Sequence, residues 1–240
     1  MRTVFSFMRS LAIYHHPVSF LRWRRFYRKV LTPGSLAFDV GAHVGTRTRA
    51  MRAAGARIVA LEPQQPFAGF LRKTLPRDVT LLPVAAGSAE AMSEMFVSSR
   101  HPTVSSLRAD FVDEAKNAPG FEHVLWDRRQ AVQVTTLDAL IARYGRPDYI
   151  KIDVEGFEME VLSGLSEPVP LISVEYLPAY PHLSSAVIDR LTELGLCLFN
   201  VVEGETGEFR WSEWQDAAAI KGWLSNLPLD AKSGDVFAQS

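Results

Sequence analysis

The chain has 240 residues, 47% hydrophobic and 22% charged, with a formal net charge of −1 and 14 prolines spread among 15 glycines. Those values exclude a disordered tail, a collagen-like repeat and wholesale nucleic-acid binding through net positive charge. The single cysteine, Cys197, excludes an internal disulfide, and its apolar neighbours over Leu194–Phe199 predict a buried thiol.

No acid precedes Asp39, whereas Arg2, Arg9, Arg22, Arg24, Arg25, Arg28 and Lys29 are interleaved with Phe5, Phe7, Leu11, Tyr14, Phe20, Leu21, Trp23, Phe26, Tyr27 and Leu31. Spacings of three and four predict an amphipathic helical cap over residues 1–33 whose apolar stripe packs on the core. A basic face of this kind also suits peripheral contact with an anionic membrane surface. No apolar run reaches the ~20 residues of a membrane-spanning helix. Arg9 breaks the amino-terminal stretch and no small-residue cleavage site follows it, so a cytoplasmic address is expected.

Thr32–Pro33–Gly34 is a turn, and residues 34–240 then alternate strands with helices. Strands are predicted at Ser35–Val40, Arg57–Leu61, Val79–Ala86, Tyr149–Val154, Leu171–Tyr176 and Leu196–Val202. Helices fall at Thr46–Ala54, Phe67–Leu75, Leu137–Tyr144, Glu158–Leu162 and Ala186–Leu194. The strands are almost continuously apolar, as in a parallel sheet covered by helices on both faces, which makes a doubly wound α/β domain. Residues 88–134 interrupt the rhythm. They hold a strand-like Met95–Val97, a polar loop at Arg100–Ser106 and the Pro119–Gly120 turn, an insertion of the length used for lids.

Two motifs carry chemistry. In FDVGAHVGTRT, Phe38–Thr48, a strand runs into a glycine turn that opens a helix. Gly41 and Gly45 permit a tight turn and close approach to a ligand, the first helical amides favour an anion, and Asp39 can accept from an amine. A dinucleotide fingerprint needs glycine at 43 and 46, where this chain has His43 and Thr46, so a nicotinamide-dependent Rossmann oxidoreductase is the weaker reading. S-adenosylmethionine has no pyrophosphate and escapes that objection. Glu62, at the end of the second strand, can clasp both ribose hydroxyls. In DYIKIDVEGFEMEVLSGL, Asp148–Leu165, Asp153 lies near the end of an apolar strand, where a lone carboxylate needs a partner: Lys151 or a ligand's ammonium.

FDVGAHVG, the ALEP strand end, VTTLDAL at 134–140 and IKIDVEGFE at Ile150–Glu158 together resemble the FkbM-type S-adenosylmethionine-dependent methyltransferases over roughly 26–176. Members usually carry Asn where this chain has His43. The resemblance implies a mostly parallel, seven-stranded, Rossmann-like sheet of the class I methyltransferase type, with Asp235–Gln239 as an antiparallel last strand. It implies O-methylation of a hydroxyl on a sugar, glycan, polyketide or other small metabolite. Asp39, Gly41, Ala42, His43, Gly45 and Glu62 would line the cofactor site, and Ala86 and Gly87 at the third strand's end would flank the adenine. Asp153 is the expected base or orienter of the acceptor, with Glu175 as a second base. Glu175 also has the chemistry of an oxygen ligand for Mg²⁺, although no metal set is predicted. His101 and His123 are lesser bases, and Thr103, Ser105 and Ser106 can hydrogen-bond a polyol. Trp211, Trp214 and Trp223 cover the core or stack on a sugar. A non-catalytic binding module on this fold is the remaining alternative.

Overall fold

The apolar spacing at the amino end forms a helix, α1, at Pro17–Val30. Its proline sits in the first turn, where no intrahelical donor is lost. The computed structural model describes residues 17–115 and 123–240, so the part of the expected cap within residues 1–16 lies outside them. Trp23, Phe26 and Tyr27, each at most 2% exposed, enter a cluster with Ala37, Tyr149 and Phe237.

Behind this helix the chain alternates as expected. β1 (Leu36–Val40), α2 (Thr46–Ala53), β2 (Arg57–Leu61), α3 (Phe67–Thr74) and β3 (Thr80–Leu82) form the first half. The two-residue β4 (Ala85–Ala86), β5 (Ala91–Val97), α4 (Ala109–Ala115) and β6 (Arg128–Thr135) follow, with a 3₁₀ turn at Pro102–Val104. The second half comprises α5 (Leu137–Tyr144), β7 (Tyr149–Ile152), α6 (Glu158–Ser163), β8 (Leu171–Tyr176), α7 (Pro181–Glu193), β9 (Leu198–Glu203), α8 (Ala217–Ser225) and β10 (Gly234–Gln239).

Seven strands form one sheet in the order β3-β2-β1-β7-β8-β10-β9. All the adjacent pairs are parallel except those of β10, which runs antiparallel to both β8 and β9. Every residue of β1 and β7 is buried, which is why these strands read as nearly continuous apolar runs, broken only by Asp39 and Lys151. The strand order reverses between β1 and β7, and the crevice at that switch point is where open α/β sheets take ligands.

Three expectations need correction. The strand expected over Val79–Ala86 is two strands, because Pro83 has no N–H to give to a ladder. Only β3 stays in the main sheet, while β4 pairs with β6 in a second sheet of order β4-β6-β5. The insertion is thus built on a seven-residue antiparallel ladder from Ala91↔Val134 to Val97↔Arg128. Cys197 is exposed rather than buried. It lies between α7 and β9, an edge strand, where Leu196 and Phe199 turn inward at 0% exposure and the residues between them face out. The helix expected at Ala186–Leu194 begins earlier, at Pro181.

The burial of α1 makes a measurable demand. Trp23→Ala removes a side chain with no solvent exposure and should cost about 3–5 kcal/mol. Urea unfolding of the full chain measures it; a loss below about 1 kcal/mol would show α1 to be a loose appendage.

Candidate functional site

β1 ends at Val40 and the chain turns at once through Gly41, whose φ of 84° lies in the left-handed region. A Cβ here would fall on the carbonyl oxygen of Asp153, so only glycine lets this turn meet the end of β7. The resulting crevice opens into a cavity of about 560 Å³, within the size range of small-molecule sites. Its walls include the turn, the end of β2, the loop after β7, Glu175 of β8, Met95, Thr103, Ser105 and Leu107 of the insertion, and the segments 204–205 and 232–235.

Glu62, 5% exposed, is fixed at both oxygens: the His43 N–H donates to Oε2 at 2.6 Å and the Gln64 N–H to Oε1 at 2.8 Å. Burial pushes its carboxyl up to about 8 against the pull of those two amides, and the charges of Asp39 and Asp153 add to the rise. His43 stands edge-on to Phe67 at 4.3 Å between ring centroids. Burial lowers its imidazole to about 4, so the ring is neutral at pH 7.

Across the crevice Lys151, 2% exposed, donates from Nζ to Asp153 Oδ2 at 2.8 Å. Burial alone would strip its proton, but Asp153, Asp39 and Asp235 hold it charged, above its ordinary value. Burial raises Asp153 too, yet Lys151 outweighs it and keeps that carboxyl below its ordinary value. Glu175 stands beside Asp153, and burial next to that anion raises its carboxyl well above the ordinary value. Glu155 is raised likewise, by burial and then by Asp153 and Glu158. Carboxylate oxygens of Asp153, Glu155 and Glu175 lie within 4.8 Å of one another, a donor set of the type a hard divalent cation takes. Protons retained on Glu155 and Glu175 relieve the same repulsion.

Of the residues singled out in the sequence, Gly41, Ala42, His43, Glu62, Ala86, Asp153 and Glu175 line the cavity together. Asp39, Gly45 and Gly87 do not line it. Asp39 is fully buried, and its Oδ2 accepts from Thr48 Oγ1 at 2.5 Å. Thr103 and Ser105 reach the cavity, whereas Ser106 bridges to Phe96 through its backbone. His101 and His123 stack edge-on at 4.5 Å away from the lining. Trp211 and Trp223 pack on each other and on the core, and Trp214 packs on Phe209.

Four further lining residues, Gln64, Arg47, Glu205 and Asp235, lie outside the site residues read from the motifs. Gln64 is 5% exposed, its Nε2 has no hydrogen-bond partner, and it borders the cavity. Only its place two residues after Glu62 could have flagged it. Arg47 lies over the Trp23 ring and donates from Nη2 to Glu205 at 3.0 Å and to Asp235 at 3.3 Å. Glu205 comes from the turn after β9 and Asp235 from β10, and no local pattern announces that approach.

A family model for the methyltransferase FkbM domain matches residues 39–227. Over 169 residues, 58% of this chain, the sequence is 28% identical to the AMB antimetabolite synthetase AmbE of Pseudomonas aeruginosa. The chain spans only 8% of that relative's length. Among solved structures it is similar to an O-methyltransferase from Bacillus cereus in complex with S-adenosylhomocysteine, at 9% identity and a TM-score of 0.49, covering 98% of this chain and 90% of that one. It is also similar to a TehB-like S-adenosylmethionine-dependent methyltransferase from Corynebacterium glutamicum, at 11% identity and a TM-score of 0.48, covering 97% and 94%.

The raised carboxyl of Glu62 predicts a pH signature. Its folded value, about 8, exceeds the ordinary glutamate value, so the folded state binds the extra proton. Stability from this group is therefore present at low pH and lost as pH rises through about 8. Glu62→Gln should match the parent near pH 4 and exceed it at pH 9 in thermal melts. Equal melting at every pH would show Glu62 to be solvated.

Proposed function

This chain belongs to the FkbM family of S-adenosylmethionine-dependent methyltransferases, and we propose that it transfers methyl to a hydroxyl oxygen of a sugar, polyketide or similar small metabolite. The observation that carries the reading is the Gly41 turn set against an ionised, lysine-held Asp153, with Glu62 across the crevice.

The residues fit the cofactor. Glu62 is pinned by two backbone amides, which fix its carboxyl in one orientation for hydrogen bonding to a vicinal diol. Gln64 holds an unspent buried donor beside it. Gly41 lets the turn close against the Asp153 carbonyl at the cavity wall, and Ala85 and Ala86 line it with small apolar side chains beside which a base can lie. When bound, S-adenosylmethionine supplies a methyl group on a positively charged sulfur, which departs with the C–S electron pair.

The chain's own residues do the rest. Asp153 accepts a hydrogen bond from the acceptor hydroxyl, which fixes the oxygen's lone pair along the line of transfer. As the oxygen gains carbon it loses its proton, and Asp153 takes it. Lys151 keeps Asp153 ionised until then, and its 2.8 Å hydrogen bond to Oδ2 holds the carboxylate in one orientation. Thr103 and Ser105 offer hydroxyls to a polyol from the insertion, which walls this side of the cavity. The mixed hydroxyl and carboxylate lining supports an acceptor rich in hydroxyls.

Two variants separate binding from chemistry. Gln64→Ala should melt like the parent, since the free Nε2 makes no bond to lose, yet bind S-adenosylhomocysteine about 2–10-fold more weakly by calorimetry. Asp153→Asn should keep that affinity while methyl transfer to a hydroxyl acceptor falls about 10²–10⁴-fold in single turnovers. Wild-type turnover in a well-folded Asp153→Asn would remove it from the chemistry, and absent affinity for S-adenosylhomocysteine in the parent would overturn the reading as a whole.

A further inference from the structure

The chemistry above leaves the outer face of α1 unused. At about 100° per residue, the helix divides into two arcs. One arc carries Trp23, Phe26 and Tyr27 into the core. The other carries Val18, Leu21, Arg22, Arg25, Arg28 and Lys29, all exposed. The helix has no acidic residue, and none occurs in the chain before Asp39.

Two of its arginines are tied to the fold. Arg22 donates from Nη1 to the Glu205 carbonyl at 2.9 Å, and Arg24 from Nε to the Ala53 carbonyl at 3.3 Å. Arg25, Arg28 and Lys29 form no ion pair among the described residues, so a folded segment of about 21 Å presents a rigid row of charges. Charge of one sign needs a polyanionic partner. The uncharged residues on the same arc, Val18 and Leu21, are aliphatic and 52% and 57% exposed. Single-stranded nucleic acid is held by aromatic platforms, and the aromatics of this helix point inward. Aliphatic side chains among cations suit the boundary between headgroups and acyl chains.

We propose that the outer face of α1 docks the protein on an anionic lipid surface, with Arg25, Arg28 and Lys29 at the headgroups and Leu21 and Val18 reaching the acyl boundary. Ser19 and Trp23, on the other arc, hold Glu205 in the cavity wall by bonds of 2.9 and 2.5 Å. A single rigid helix therefore joins the docking face to the site.

Sedimentation of the full chain with vesicles tests the proposal. The protein should pellet with mixed phosphatidylglycerol–phosphatidylcholine vesicles, remain in solution with pure phosphatidylcholine, and be released by high salt. Each base near an anionic bilayer contributes about fivefold to partitioning, so R25E/R28E/K29E should lose about 100-fold or more while melting and binding S-adenosylhomocysteine as the parent does. Val18→Ser with Leu21→Ser should weaken binding without altering its salt dependence. The proposal fails if the parent does not pellet with anionic vesicles, if the charge-reversed variant pellets equally, or if a single-stranded RNA displaces the protein from vesicles at equal phosphate concentration.

Discussion

The structure turns on one buried cation. Lys151 sits in the central strand of the sheet, 2% exposed, in register with Asp39 on β1. Asp153 follows two residues later, and Asp235 enters from the antiparallel strand. Removing one partner from such a buried group leaves an uncompensated charge worth about 3–5 kcal/mol. Asp153 is thus bonded to the ammonium while the charges of Asp39 and Asp235 also favour it, and two distant stretches of chain, β1 and β10, must close around β7. That closure places Asp153 at the crevice and keeps it ionised there.

Around this centre the remaining charges are held in unlike states. Arg47 balances Asp235 and Glu205 at the carboxyl-terminal side, while Glu62, Glu155 and Glu175 find no cation of their own and are pushed upward by burial. A crevice with one fixed anion and several proton-retaining carboxyls is costly to an empty protein. It is suited to a ligand that brings a positive charge and hydroxyls, because the charge then meets Asp153 and each hydroxyl a carboxyl already positioned to donate or accept. Stability without ligand and affinity for it are set by the same burial.

Much of this was legible in the sequence, and the limits have physical causes. The parallel strands, the glycine turn and the placing of Glu62 and Asp153 follow from local patterns: nearly continuous apolar runs, glycine where a Cβ would collide, acids at strand ends. Lys151 as the partner of Asp153 was also open to reading, since a two-residue spacing puts both side chains on one face of a strand. The division of Val79–Ala86 between two sheets was marked by Pro83 alone. Cys197 misled because an apolar run on an edge strand is buried on one side only. Arg47, Glu205 and Asp235 could not be read, because their meeting depends on β10 inserting between β8 and β9.

The same insertion explains why α1 belongs to the site rather than to the periphery. β10 brings Phe237 against Phe26 at 5.3 Å and Tyr149 at 6.1 Å between ring centroids, so the helix packs on the strand that carries Asp235. Trp23 then covers Arg47 on one side and donates to Glu205 on the other. An arginine free to swing would face two carboxylates in changing geometries. Under an indole, with both acids fixed, it has a single arrangement. The aromatic residues that looked in the sequence like a stripe for covering a core therefore also orient charge at the cavity's edge, and a perturbation of α1 reaches the site through Arg47 without touching Asp153.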